Sequence, residues 1–159
     1  MPHPKSTPLN PALLLDNQLC FALYSASLAM TKLYKPLLAS LGLTYPQYLV
    51  MLVLWEQDGL TVSALGERLS LDSGTLTPLL KRMEQSQLLV RQRTADDERK
   101  VVVTLTASGR KLKVRAASVP ACLVEAAGCP VPELISLTYQ VQALRNRLTQ
   151  TQNQPKEKP

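Results

Sequence analysis

The chain has 159 residues, the length of one ordinary domain, and its 45% hydrophobic and 19% charged composition fits a soluble globular fold. Its longest apolar run, Tyr48 to Trp55, is eight residues, well short of the ~20 that span a bilayer. The opening stretch, Met1 to Pro8, lacks the apolar core of a signal peptide, so a cytoplasmic protein without membrane association is expected. A single histidine, His3, sits in a proline-rich tail, which removes Ser-His-Asp and Cys-His catalysis and most zinc sites. The three cysteines, Cys20, Cys122 and Cys129, match no metal-ligand spacing. No metal and no cofactor are expected. The net charge is +6, and eleven basic against six acidic side chains between residues 60 and 115 place +5 of it there. Charge alone leaves open a polyanion-binding surface and a solvated basic face.

Residues 1–11, with four prolines, and 150–159 read as loose arms. From about Leu13 to Leu38 apolar residues recur at helical spacing (Leu15, Leu19, Phe21, Ala22, Ala26, Met30, Leu33, Leu37), predicting a long first helix that Gly42 ends. Thr44 and Gln47 form a capping-box pattern with Pro46 in the first turn, so a second helix runs through Tyr48 to Glu56. After the Asp58-Gly59 turn, Thr61 starts a short third helix, Val62 to Leu69. Asp72 or Ser73 caps a fourth, Gly74 to about Ser86, with Leu76, Leu79, Leu80 and Met83 as its apolar face and a bend expected at Pro78. The period then changes to two: Leu88 to Arg93 and Val101 to Leu105 predict a hairpin with a charged tip. Thr106 caps a fifth helix, Ala107 to about Ala127, interrupted by Pro120. Pro132 to about Leu148 predicts a sixth, whose narrow seam of Leu134, Leu137, Val141, Leu144 and Leu148 suits packing against another helix, of this chain or of a second subunit.

A short helix, a tight link, a second helix and a basic-tipped hairpin follow one another in the order of a winged helix-turn-helix. The fold class expected is therefore mainly α with a small β-hairpin wing. On the second helix Ser73, Gly74, Thr75, Thr77, Lys81 and Arg82 are candidates for contact with double-stranded operator DNA, and on the hairpin Arg91, Arg99 and Lys100. No aromatic residue lies between 60 and 115, which disfavours readout of single strands by stacking.

Asp97-Glu98-Arg99, then Val103-Thr104-Leu105-Thr106 and Gly109, resemble the wing signature of the MarR family. Three further strings, Asn17 to Tyr24, Thr44 to Tyr48 and Leu71 to Lys81, resemble the organic-hydroperoxide-sensing OhrR branch of that family. The resemblance runs from the first helix to the sixth. It implies one domain over 1–159, with dimerisation helices at 12–41 and 107–149, a winged helix-turn-helix at 44–106, and a homodimer as the working unit. It also implies that Arg99, with Asp97 two residues earlier, belongs to the DNA-binding wing and that Arg99 enters the minor groove.

Six of the seven aromatic residues, Phe21, Tyr24, Tyr34, Tyr45, Tyr48 and Trp55, lie in the 35 residues that begin beside Cys20. Cys20 stands near the positive end of the first helix, which favours a thiolate, while Asp16 opposes it. Tyr34 is fourteen residues further along the same helix, ~21 Å at ~1.5 Å per residue, so it does not reach its own Cys20 unless that helix folds back, whereas a dimer of antiparallel first helices would bring it to the partner's Cys20. The resemblance implies that arrangement, with Tyr34 and Tyr45 hydrogen-bonding the partner's Cys20. It implies a repressor that loses DNA when an organic hydroperoxide oxidises Cys20. In some members a second cysteine resolves the oxidised thiol, in others a small thiol does. The usual second position falls here at Glu125, leaving Cys122 and Cys129 as alternative resolving thiols. A repressor sensing a small phenolic ligand, with Cys20 only a buried apolar residue, is the competing expectation. A thiol peroxidase is disfavoured, because no arginine precedes Arg68 to assist a thiolate.

Overall fold

The computed structural model describes residues 10–97 and 99–153. His3 and most of both expected arms, and Glu98 of the hairpin tip, lie outside the described residues. The chain divides into two compact units that meet in sequence at Val119 and Pro120.

The first unit opens on two short 3-10 turns, Pro11–Leu13 and Leu15–Asn17, before helix α1, Leu19–Ala39. The first α-helix thus begins six residues later than its apolar stripe suggests. Asn10 caps the first turn through the Ala12 N–H, and the Gln18 amide donates to the Ala12 and Leu14 carbonyls, which stabilises the tighter coil there. Residues 10 and 11 belong to this element rather than to a loose arm. Helix α2, Tyr45–Glu56, carries the expected capping box of Thr44 and Gln47.

Strand β1, Leu60–Thr61, leads directly into α3, Val62–Leu69, and α4 follows over Ser73–Gln85. Strands β2, Leu89–Arg93, and β3, Val101–Leu105, form the expected hairpin, antiparallel with Leu89 opposite Leu105 and Arg93 opposite Val101. The sheet has a third strand that the alternation pattern missed: β1 pairs with β3, Leu60 opposite Val103, giving the order β1-β3-β2. Helix α5 spans Ala107–Ala116. The core gathers Leu38 from α1, Val50, Met51 and Leu54 from α2, Leu65 from α3, Leu76, Leu80 and Met83 from α4, and Leu89 and Val103 from the sheet. All four residues of the expected apolar face of α4 are buried.

Helix α6, Val119–Ala127, starts at the junction, so the long fifth helix is two helices. The break precedes Pro120, because a proline without an N–H is tolerated in a first turn and not inside a helix. In the second unit Gly128, at φ +64°, ends α6, and α7 runs over Val131–Asn153, longer at both ends than its seam suggests. Residues 150–153 are therefore helical. Ile135, Leu137, Tyr139, Val141 and Leu148 of α7 remain exposed. No single described helix is long and apolar enough to cross a membrane.

Candidate nucleic-acid interface and thiol site

The link between α3 and α4 is made by close backbone approach. Ser70 turns the chain at φ 55°, and a Cβ on Gly66 would stand 2.8 Å from the Leu71 carbonyl oxygen, so this position takes glycine. The Asp72 carboxylate caps α4, accepting the Thr75 N–H at 2.9 Å and the Thr75 hydroxyl at 3.0 Å. These bonds, the backbone one first, hold the Asp72 carboxyl below the usual carboxylate range. Beyond the cap, Ser73, Gly74, Thr75, Thr77, Lys81 and Arg82 are all exposed on one side of α4. Thr75 keeps only accepting capacity, because its proton is committed to Asp72. Helix α4 runs on through Pro78, whose missing N–H leaves the carbonyl of exposed Gly74 without its helical donor.

Two of the hairpin candidates have structural work. The Glu84 carboxylate accepts from the Arg91 backbone N–H at 2.8 Å and from its guanidinium at 2.8 and 3.1 Å, tying the end of α4 to β2. The Arg91 side chain, followed by its N–H, keeps the Glu84 carboxyl below its usual range. The Asp97 carboxylate accepts the Arg99 N–H at 3.0 Å, while its carbonyl accepts from Lys100 N–H and the Thr94 hydroxyl. Asp97 thereby shapes the loop that carries Arg99 and Lys100. A cavity of about 380 Å³ opens between α4 and the wing, lined by Ser73, Thr77, Arg91, Arg99 and Lys100.

The basic charge separates into two populations. Arg68, Arg91, Arg110, Lys113 and Arg115 bond to Glu56, Glu84, Asp58, the Trp55 carbonyl and the Ser40 carbonyl respectively. Lys81, Arg82, Arg93, Arg99, Lys100 and Lys111 form no ion pair or side-chain hydrogen bond among the described residues. All six except Lys111 lie on α4 or the wing. Sequence counting alone cannot make that division, because most of the partners are distant in the chain.

Cys20 is the second residue of α1, exposed, and its sulfur has no hydrogen-bond partner among the described residues. Gln18 at the N-cap makes no side-chain bond to the first turn, so the backbone N–H groups around Cys20 present uncompensated partial positive charge. Tyr34 and Tyr45 meet with ring centroids 4.7 Å apart, and Tyr48 lies 5.8 Å from Tyr34. Burial, then the neighbouring Tyr45 and Tyr48, push Tyr34 up to about 12. Burial also raises Tyr45, and burial followed by Tyr45 raises Tyr48. The three phenols are thus protonated, and able to donate, at any physiological pH. Beside them a cavity of about 450 Å³ is walled by Ala39, Leu43, Tyr45 and Pro46 and rimmed by Lys32 and Lys35.

Tyr48 and Trp55 belong to this cluster although neither stood among the candidates. Trp55 meets Tyr48 edge-on at 6.4 Å, and its indole N–H donates to the Gly109 carbonyl at 3.0 Å. The signal was present, since Tyr45, Tyr48 and Trp55 are spaced by three and seven residues and share one helical face.

Cys122 lies on α6 and is half-buried. Cys129 follows the helix end, half-buried, its thiol donating to the Ala127 carbonyl at 3.5 Å. All three cysteines are free thiols, and no cluster of metal ligands occurs among the described residues.

The family of transcriptional regulators described as SarA/Rot matches residues 32–115. The organic hydroperoxide resistance transcriptional regulator of Bacillus subtilis (strain 168) is 56% identical over 110 residues, 69% of this chain and 75% of that protein. Among solved structures, reduced AbfR bound to DNA superposes with a TM-score of 0.73 at 36% identity, covering 86% of this chain and 94% of that one. The disulfide form of AbfR superposes with a TM-score of 0.58 at 37% identity, covering 82% and 91%.

Proposed function

The chain belongs to the winged-helix transcriptional regulators of the MarR family, in the organic hydroperoxide resistance branch, and on that footing we propose that it is a redox-sensing repressor that binds operator DNA as a reduced homodimer and releases it when an organic hydroperoxide oxidises Cys20. One observation carries the reading. Cys20 is exposed at one end of α1 with no hydrogen-bond partner among the described residues, while the protonated tyrosines assigned to it lie toward the far end, which supports a site completed by a second copy. Exposed Leu19, Tyr24 and Leu28 on α1, and the apolar residues of α7, give that copy its contact surface.

On DNA, α4 enters the major groove through Ser73, Gly74, Thr75, Thr77, Lys81 and Arg82, and Arg99 and Lys100 of the wing reach the adjacent backbone or minor groove. Arg91 and Asp97 act indirectly, the first by fixing β2 to α4 and the second by shaping the wing tip. In the reduced dimer the Cys20 thiolate accepts hydrogen bonds from Tyr34 of the partner subunit and Tyr45 of the partner subunit. An organic hydroperoxide enters the apolar cavity beside Tyr45. The thiolate attacks its outer oxygen, an S–O bond forms as the O–O bond breaks, and the alkoxide takes a proton and leaves as an alcohol. The sulfur loses two electrons and the peroxide gains them. Cys122 or Cys129 of the other subunit, or a small thiol, then attacks the sulfenic sulfur, forming a disulfide and releasing water. Loss of the tyrosine bonds shifts the dimer to a state whose α4 helices no longer fit the operator. The protein reacts once per signal and is reset by a thiol reductant, acting in the cytoplasm beside its DNA.

The test is a gel shift with operator DNA, with and without cumene hydroperoxide. Wild type loses DNA on oxidation, and Cys20→Ser binds equally in both conditions. A Cys20→Ser protein that still releases DNA sinks the sensor assignment.

A further inference from the structure

The tyrosine cluster does not end at Tyr48, and what lies beyond it joins α2 to the base of the DNA-binding elements. The Tyr34 and Tyr45 rings contact each other at 4.7 Å, Tyr34 contacts Tyr48 at 5.8 Å, and Tyr48 contacts Trp55 at 6.4 Å. The Trp55 indole has one hydrogen-bond donor, and it goes to the Gly109 carbonyl in the first turn of α5 at 3.0 Å. The Trp55 carbonyl is held from the same helix by the Lys113 ammonium at 2.9 Å. One residue of α2 is therefore clasped by α5 at both its side chain and its backbone.

Gly109 in turn leaves no slack. A Cβ there would stand 2.1 Å from the Leu88 carbonyl oxygen, so α5 and the entry to β2 meet backbone to backbone with no side chain between to absorb a shift. The same Leu88 donates its N–H to Met83 of α4 at 3.1 Å, and Thr106 binds the Gln87 and Leu88 carbonyls at 2.6 and 3.1 Å. Residues 87 and 88 are the joint between α4 and the wing. Close-packed contacts of this kind move together or break, rather than deforming smoothly.

We propose that Trp55 is the positioning residue that carries the state of the tyrosine cluster to the α4–wing joint, through its ring contact with Tyr48 and its hydrogen bond to Gly109. The inference rests on the sensor reading above. When oxidation of Cys20 releases Tyr34 and Tyr45, the cluster repacks, the Trp55 ring follows Tyr48, and the Gly109 contact drags or frees the joint. Trp55 touches neither peroxide nor DNA in this scheme.

Trp55 is the single tryptophan of the chain, which makes it its own reporter. In the full-length wild type, one equivalent of cumene hydroperoxide is added while mass spectrometry follows Cys20 and a gel shift follows operator release. The indole emission is expected to change in step with Cys20 oxidation, and to stay constant in Cys20→Ser. Trp55→Phe keeps a ring against Tyr48 but has no donor for Gly109. It is expected to bind operator within about threefold of wild type when reduced, and to lose about tenfold of the ratio between oxidised and reduced Kd. A role confined to stability would lower the melting temperature and leave that ratio unmoved. Quantitative Cys20 oxidation with operator release but constant emission overturns the proposal, as does an unchanged ratio in Trp55→Phe. If the wild type keeps its DNA with Cys20 fully oxidised, the sensor reading itself fails, and this inference falls with it.

Discussion

The ring of Tyr34, in the last third of α1, lies 4.7 Å from the ring of Tyr45, the first residue of α2. Burial and the two neighbouring phenols hold Tyr34 protonated, with a pKa of about 12 against 10.0 for a free phenol. The folded chain therefore binds more protons than the unfolded one between those values, and its stability falls with pH there. The contribution is fully present below about pH 10 and is lost as pH rises through about 12. Urea midpoints measured at about pH 8 and about pH 11 should separate widely in wild type and less in Tyr34→Phe. Equal separation in the two proteins would contradict the raised pKa.

Gly109 is required by space rather than by backbone conformation. Its substitution by alanine drives a Cβ to 2.1 Å from the Leu88 carbonyl oxygen and 3.2 Å from the Leu105 side chain. Gly109→Ala should cost about 3 kcal/mol and move α5 away from the hairpin, with the Trp55 N–H losing its acceptor. Chemical denaturation reads the first effect and indole emission the second. A variant as stable as wild type would mean that the joint is looser than its geometry.

Asp58 joins parts of the chain that are nearly fifty residues apart. Its carboxylate accepts the Leu105 N–H at 2.8 Å and the Gly59 N–H at 2.9 Å, and it pairs with Arg110 at 2.9 Å. Burial alone would raise its pKa, but the Leu105 N–H, Arg110 and Gly59 together outweigh it and leave the carboxyl below its usual value. A depressed pKa contributes stability that is present above the unfolded value and is lost as pH falls through the folded one. Asp58→Ala should destabilise by about 2 kcal/mol at neutral pH, with the gap from wild type closing in acid. A gap that does not narrow in acid would assign the effect to packing instead.

These three sites show where the sequence was legible and where it was not. Thr44, Thr61 and Thr106 announce helix starts by local chemistry and stand at the N-caps of the helices expected of them, and of the two candidates Asp72 and Ser73 it is Asp72 that caps α4. The apolar spacing of Leu76, Leu79, Leu80 and Met83 found the buried face of α4 because periodicity is also local. Strand β1 was missed because two residues carry no period, and it exists only through its pairing with Val102 and Val103. The bonds from Trp55 to Gly109 and from Asp58 to Leu105 join residues far apart in sequence, where no pattern in either segment points to the other. Cys20 was found from its position near a helix start and its neighbours, yet its exposure required coordinates.

The separation of the basic residues gives a graded expectation for DNA. Each phosphate contact removed should reduce the slope of log Kd against log salt by about 1. Lys81→Ala, on the exposed side of α4 and without an ion pair among the described residues, should do this and weaken all sequences alike. Arg110→Ala removes an equal charge from the same segment, but one already neutralised by Asp58, so it should lower stability and leave the slope unchanged. Fluorescence anisotropy across a salt series distinguishes them. Equal slopes for the two variants would show that the bulk charge, rather than this surface, governs binding.

The two resolving candidates differ in how firmly they are held. Cys122 is carried by the backbone of α6, whereas Cys129 lies past the helix end, after Gly128 at φ +64°, with a single 3.5 Å thiol bond to Ala127. A thiol outside regular structure adjusts its position with less loss of backbone hydrogen bonding than one carried by a helix. On a non-reducing gel after limiting hydroperoxide, Cys129→Ser should therefore lower the yield of covalent dimer more than Cys122→Ser. The double variant should give none, leaving a sulfenic acid that a small added thiol converts to a mixed disulfide. A covalent dimer that survives both substitutions would exclude Cys122 and Cys129 together. With only Cys20 left to pair, that dimer would have to be a Cys20–Cys20 bridge between subunits, incompatible with a Cys20 seated beside Tyr34 of the partner subunit.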